Sequence, residues 1–372
     1  MSDKHDTHAR HAAAPDATDA EKSAASKVAA VVVTCVAAIA LGAGAYLLSP
    51  ASPLPSHVES APAGQPEVRE ASAPAQTAPA STTTAPADAT PQRPALVEDD
   101  SPFDAGANTV EATTEAGVRV VAPEAFVGTK SCQNLDAAVR DFCQGGCRLG
   151  FVLEDLSTGR TLSFGDNELF YPASSVKAVY CTMVLEQGGD AVVDASGPVI
   201  ENCLVNSDND SFRALIAGYG YDSYAAWMQR FAPEAASEAA YKNYPDMTAA
   251  GMLSCWKETA RFCSSDEPGG RFLADCLAQT HSSVLGALMR DRYTVWSKPG
   301  WYYAFDGEGT TPSTCDCGVV QSDCGTYVVA IMSDAAGDFD ALMDVADALN
   351  AAHGKMCGGS SAPLAWEGTE LS

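Results

Sequence analysis

The chain has 372 residues, room for one or two domains, and a formal net charge of −26. Such acidity disfavours nucleic acid and anionic membrane surfaces as partners. It belongs to the linker and the folded part: residues 1–27 carry 4 basic and 5 acidic side chains, residues 50–125 carry 3 and 11, and residues 126–372 carry 15 and 32.

Residues 1–27 are polar and Ala-rich, and read as a disordered cytoplasmic tail. His5, His8 and His11 have no neighbours that would close a metal site. Val28–Leu48 contains no charge and is long enough to span a bilayer core. Lys22 and Lys27 precede it and the next basic residue is Arg69, so the N-terminus is expected in the cytoplasm. The segment reads as an uncleaved, single-pass signal anchor, with a cleaved signal peptide as the alternative. Residues 50–125 are rich in Pro, Ala, Thr and Ser and nearly lack aromatics. They read as an extended linker that holds a domain away from the membrane, for example through a cell wall. The folded domain is expected at 126–356, followed by a tail at 357–372.

Twelve of the 13 cysteines lie at or after Cys132, on the expected outer side. Up to six disulfides are expected in that oxidising compartment, with Cys317 and Cys324 as one plausible pair. Metal binding by Cys143 with Cys147, or by Cys315 with Cys317, is the weaker reading, because no His partners them in a zinc spacing.

Within the domain, Leu135, Val139 and Phe142 give a helix over 135–143, ended by Gly145-Gly146. Leu149–Leu153 and Arg160–Phe164 read as a hairpin of strands. A helix then runs from Ser174 to about Gln187, followed by a loop to Val199. Shorter helices are expected at Ser211–Ile216 and Ser223–Phe231, the latter capped by Asp222, with a loop over 233–246. Thr248–Phe262 is a strong amphipathic helix with Thr248 or Asp246 as its cap, and Ser282–Met289 is a shorter one. Tyr293–Ser297, Gly318–Gln321 and Tyr327–Met332 read as strands, and Asp338–Ala352 as a closing helix. The order predicts an α+β fold: a five-stranded antiparallel sheet, terminal helices on one face and a helical layer on the other.

Three short motifs carry chemistry. Ser174-Ser175-Val176-Lys177 places a hydroxyl and an amine three residues apart on one helical face, the minimum for an activated serine. Ser254-Cys255-Trp256-Lys257 has the same spacing, so the pattern alone decides nothing. Ser207-Asp208-Asn209 follows the first pattern on a loop in the helical middle, and Lys298-Pro299-Gly300 follows at the end of a strand. Lys177 can take a proton from Ser174 only if its pKa falls well below its ordinary value of about 10.4; burial, a helix N-terminus and the Lys298 charge all push that way. Ser207 is suited to pass a proton to a leaving nitrogen. Asn209 is suited to bind a substrate amide, and Lys298 to attract a substrate carboxylate.

In motif order and surrounding elements, residues 130–353 resemble the superfamily of class A β-lactamases and penicillin-binding proteins, which carries Ser-x-x-Lys, Ser-Asp-Asn and Lys-Thr-Gly. The resemblance implies an acyl-enzyme at Ser174, with Lys177 and Ser207 as catalytic partners and Asn209, Lys298, Gly300 and Trp301 as substrate-binding residues. It implies an oxyanion site made by the backbone amides of Ser174 and Trp301. It implies no metal or organic cofactor, and a β-lactam or D-alanyl peptide as the small-molecule partner. No Ser-x-Asn lies between Lys257 and Lys298, so Ser254 is the decoy.

Two departures stand out. Pro299 replaces the usual Thr or Ser, which removes a hydroxyl from the carboxylate site. The stretch that best matches the family's deacylating Arg-aromatic-Glu-Pro-Glu loop is Arg230-Phe231-Ala232-Pro233-Glu234, which puts Ala232 at the base position. Glu234 or Glu238 would have to substitute. The short interval from Ser174 to Ser207 implies a trimmed helical layer. The leading expectation is a class A-like β-lactamase, membrane-anchored with its catalytic domain outside the cell. A D,D-peptidase acting on the bacterial cell wall comes second, and a non-catalytic wall-peptide module is the rival.

Overall fold

In the computed structural model of the chain, the described residues are 106, 108–304 and 310–357. The tail at 1–27, the candidate anchor Val28–Leu48, most of the linker and the tail beyond 357 lie outside them. Among the described residues no helix is long and apolar enough to cross a membrane.

The elements in chain order are β1 (Thr109–Thr113), β2 (Arg119–Pro123), a 3₁₀ turn (Glu124–Gly128), α1 (Lys130–Gln144), β3 (Leu149–Asp155), β4 (Thr161–Phe164) and β5 (Leu169–Phe170). A second 3₁₀ turn (Ala173–Ser175) leads into α2 (Val176–Val205), then α3 (Asn209–Tyr219), α4 (Tyr221–Phe231), α5 (Pro233–Ala239), β6 (Met247–Thr248), α6 (Ala249–Cys263), α7 (Gly270–Leu277) and α8 (Val284–Met289). β7 (Thr294–Tyr302), β8 (Ser313–Ser322), β9 (Gly325–Ser333) and α9 (Phe339–Met356) close the fold.

The main sheet is antiparallel in the order β1-β2-β4-β3-β9-β8-β7, and β5 pairs with β6 separately. Strand alternation divides the core into two layers. Tyr327, Val329 and Ile331 of β9 pack with Leu135 and Val139 of α1, Leu288 of α8 and Val345 and Leu349 of α9. Val328, Ala330 and Met332 face the other way, onto the helical layer built from α2 to α7. The expected antiparallel sheet between two helical layers is present.

The sheet has seven strands rather than five. β1 and β2 lie inside the segment read as linker, so the folded domain starts near Thr109 and not at 126. The Pro/Ala/Thr-rich average hid a local alternation that buries Val118, Val120 and Ala122. The loop expected at 188–199 is helical: α2 is interrupted only at Gly189, whose φ of 53° breaks the turn, and then resumes with Val192, Ser196 and Ile200 buried. Gly189 and Pro198 lie inside the helix and do not end it. α5 and α7 were also missed, being short. Asp222 lies in the first turn of α4 rather than capping it. Thr248 does cap α6, its Oγ1 accepting from Gly251 N at 2.9 Å.

All twelve described cysteines are free thiols, against the expected disulfides. The Cys317–Cys324 pair fails on geometry. Cys317 sits mid-strand opposite Ala330, whereas Cys324 lies in the β8–β9 turn. Strand rise alone separates Cys317 from Ser322 by roughly 17 Å, far beyond the Cα spacing of about 7 Å that a disulfide tolerates. Cys181, Cys203, Cys255, Cys315 and Cys317 act instead as small core residues in the helical layer.

Candidate active site

Where the sheet edge β7 meets the start of α2, the three motifs converge. Ser174 lies in the 3₁₀ turn that begins the helix and is 6% exposed. Lys177, one turn further on, is fully buried. Its Nζ donates to the Ser207 carbonyl at 2.7 Å and to Asn209 Oδ1 at 2.5 Å. From the opposite side, Lys298 Nζ donates to Ser207 Oγ at 2.9 Å and to the Pro299 carbonyl at 3.0 Å. Two lysine side chains thus grip one serine, one at its backbone and one at its hydroxyl.

Local backbone chemistry fixes this arrangement. Asp208 caps α3 by accepting from Ser211 N at 2.7 Å, which sets Ser207 and Asn209 on either side of the helix start. Ser207 has a φ of 57° and Ala173, just before Ser174, a φ of 45°. These are two of only four left-handed non-glycine residues among those described. Such strain persists where the surroundings over-determine it, and here it falls at Ser207 and immediately before Ser174.

Gly300 explains how β7 approaches so closely. A Cβ placed there would lie 2.4 Å from Ser175 N, 2.6 Å from the Pro172 carbonyl and 2.7 Å from Ser174 N. Only a hydrogen fits against that backbone. Lys298 and Gly300 share the strand face toward Ser174. Trp301 points the other way, its ring 5.3 Å from that of Phe339, so it offers the site only its backbone. Lys298-Pro299-Gly300 lies within β7 rather than at its end. Pro299 is tolerated because β7 is an edge strand.

Burial opposes ionisation of Cys203, behind the two lysines. A hydrogen bond with Cys181 and the positive charges of Lys177 and Lys298 outweigh it and hold the thiol below its usual range. Asp208 is likewise held low: burial works against it, and the Ser211 hydrogen bonds and Lys177 prevail. The pocket floor is electropositive.

The carboxylates expected to stand in for Ala232 are occupied elsewhere. Ala232 is buried at the start of α5. Glu234 Oε1 accepts from Thr248 Oγ1 at 2.8 Å and lies where a Cβ on Gly251 would be, so it is bound to the start of α6. Glu238 accepts from Asp246 N at 2.9 Å and pairs with Lys242 at 2.8 Å. Both tie down the loop over 240–248. The decoy Lys257 makes an ion pair with Glu154 at 2.5 Å. Tyr244 was not anticipated. Its hydroxyl donates to Asn209 Oδ1 at 3.3 Å and its ring lies 6.0 Å from that of Tyr171. An aromatic in a segment read as loop gave no signal beyond its residue type.

Residues 195–352 match the model of the beta-lactamase enzyme family. The matched span holds Ser207, Asn209, Lys298 and Gly300 but begins after Ser174 and Lys177. It bears out the resemblance to the serine β-lactamase-like superfamily. Among solved structures, the chain is similar to a beta-lactamase from Streptosporangium roseum at 18% identity, over 61% of this chain and 99% of that one, with a TM-score of 0.48. It is similar to a beta-lactamase from Desulfarculus baarsii DSM 2075 at 16% identity, over 59% and 95%, with a TM-score of 0.47. A search of the curated proteins returns no match.

Proposed function

We propose that this chain is a serine acyl-transfer enzyme that opens β-lactams at Ser174 and hydrolyses the resulting ester slowly. The observation that carries the reading is the convergence of Lys177 and Lys298 on Ser207, with Gly300 pressed against the amide of Ser174. Ser174 Oγ attacks the lactam carbonyl and its proton passes to Lys177 in its amine form. The oxyanion is held by the backbone amides of Ser174 and Trp301. As the C–N bond breaks, Ser207 Oγ delivers a proton to the departing nitrogen and is resupplied from the lysine side. Lys298 attracts the substrate carboxylate without help from a hydroxyl at position 299. Asn209 orients Lys177 through its carbonyl and meets the substrate amide through its NH₂.

Deacylation needs a base beside a water. The side chain at the expected place is the methyl of Ala232, and Glu234 and Glu238 are engaged with Thr248, Asp246 and Lys242. This favours a second reading of the same site, a D,D-peptidase whose acyl group is normally handed on from a D-alanyl wall peptide. In both readings Val28–Leu48 anchors the chain in the cell membrane and the linker carries the domain outward to the cell wall.

The experiment is a labelled penicillin followed by intact mass. A stoichiometric adduct that disappears in Ser174→Ala supports the reading. No adduct on the wild-type chain would leave a non-catalytic wall-peptide module as the better description.

A further inference from the structure

On the far side of the sheet from Ser174, three metal-binding groups of different chemistry meet. The carboxylate of Asp155, the imidazole of His353 and the thiol of Cys357 place one ligand atom each within 4.8 Å of one another. They come from distant parts of the chain: Asp155 ends β3, His353 is in the last turn of α9, and Cys357 follows that helix. His353 and Cys357 are four residues apart, so both side chains leave the same helical face.

The cluster is built rather than incidental. Asp155 and His353 are fully buried. Asp155 Oδ1 accepts from Ser157 N, Ser157 Oγ, Thr158 N and Thr158 Oγ1 at 2.6–3.1 Å. That leaves Oδ2 turned to His353 Nε2 at 2.8 Å. Outer hydrogen bonds that fix a carboxylate this way are the usual support of a metal ligand. The ring nitrogen that faces the carboxylate is Nε2; Nδ1, on the other side of the ring, is buried with no hydrogen-bond partner. The arrangement is not a thiol–imidazole–carboxylate relay. In such a relay the imidazole separates the other two groups, whereas here the carboxylate contacts both His353 and Cys357.

A fourth donor lies near, outside the three-atom cluster. Cys324 lies in the β8–β9 turn, next to Gly325, where a Cβ would be 3.0 Å from Asp155 Oδ2. The turn therefore sits directly over the carboxylate. We propose that Asp155, His353, Cys357 and Cys324 form a structural zinc site that clamps the last helix to the β3 and β8–β9 edges of the sheet. One carboxylate, one imidazole and two thiolates complete a closed tetrahedral set, which suits zinc and leaves no position for a substrate. Tetrahedral ligand atoms at ordinary zinc distances lie about 3.3–3.8 Å apart, close to the spacing of the three clustered atoms, and the β8–β9 turn must swing the Cys324 thiol inward to complete the set. Two thiolates and a carboxylate around Zn²⁺ leave one net negative charge. Arg160, whose Nη1 donates to the Met356 carbonyl at 2.6 Å, lies beside Cys357 to balance it.

The test uses the full chain, purified in mild detergent without a polyhistidine tag and equilibrated with zinc alone. A companion form with His5, His8 and His11 replaced by Ala removes the N-terminal histidines as ligands. One zinc per chain should remain after gel filtration in both forms, measured by elemental analysis. Cobalt in its place should give tetrahedral d–d bands and a thiolate charge-transfer band. Cys357→Ser should weaken zinc retention by about tenfold or more and diminish that band. Circular dichroism should show the variant still folded. Cys324→Ser, at the partly exposed turn, provides the same readout with less risk to folding. Retention of no zinc, retention lost only with the N-terminal histidines, or a mass showing Cys324 and Cys357 joined as a disulfide with no zinc taken up would each overturn the proposal.

Discussion

Replacing Gly300 by Ala is the sharpest probe of how the sheet edge serves Ser174, the proposed nucleophile. The added methyl would sit 2.4–2.7 Å from three backbone atoms of the 172–175 turn, none of which can rotate away. Restoring ordinary contact near 3.4 Å requires β7 to withdraw by about 1 Å from the start of α2. Overpacking of this kind costs about 1–3 kcal/mol of stability. A displacement of about 1 Å between reacting groups costs on the order of 10²-fold in rate. Gly300→Ala should therefore stay folded at room temperature and acylate with labelled penicillin about 10²-fold more slowly than the parent. Gly128→Ala is the matched control, because nothing lies within 4 Å of a Cβ there. An acylation rate for Gly300→Ala equal to that of the parent would refute the claim that β7 positions Ser174.

Lys298→Ala removes the donor to Ser207 Oγ and should slow acylation by about 10²-fold or more, whereas Lys257→Ala should leave it unchanged and cost under about 1 kcal/mol in thermal melts. Glu234→Gln should not lengthen the life of the acyl-enzyme, because that carboxylate is engaged with Thr248; an increase of about tenfold in half-life would identify it as the base. Asp316 gives a pH dependence. Burial raises its carboxyl to about 6, against hydrogen bonds from Leu285 N and Ser283 and the nearby charges of Arg290 and Lys298. The folded state therefore holds the proton more tightly than the unfolded one. The contribution of Asp316 to stability is fully present below the ordinary carboxylate range and is lost, by at most about 3 kcal/mol, as pH rises through 6. Asp316→Asn should flatten this slope, read as the melting temperature between pH 4 and pH 7.

The parts of the fold visible in the sequence were those with strong periodicity or a distinctive local motif. α6 and α9 show a clear apolar stripe, and β3 and β9 are short, nearly continuous apolar runs of the kind that a strand buried on both faces requires. The three motifs were visible because the chemistry proposed for them needs fixed residue types at short spacings. What stayed hidden depends on tertiary contact. β1 has little apolar content and joins the sheet only through β2, whose short apolar run is in turn fixed by pairing with β4. The second half of α2 hides behind Gly188-Gly189, although its buried side chains keep helical spacing. Ser-Asp-Asn was legible as a motif. That its backbone carbonyl would hold Lys177 while its hydroxyl received Lys298 depends on the left-handed turn at Ser207, which no residue type announces. The disulfide expectation failed because it rested on compartment and cysteine count, and pairing is decided by distance. The grouping of Asp155, His353 and Cys357 spans some 200 positions and could emerge only from the fold.

The most direct measurement is an intact-mass time course of the full chain with a labelled penicillin, run beside Ser174→Ala. If Ser174 is the nucleophile and no base replaces Ala232, the wild-type chain gains one penicilloyl mass that persists after free drug is removed, and the variant gains none. An adduct on Ser174→Ala would contradict the site, and recovery of unmodified wild-type protein within seconds would contradict the missing base.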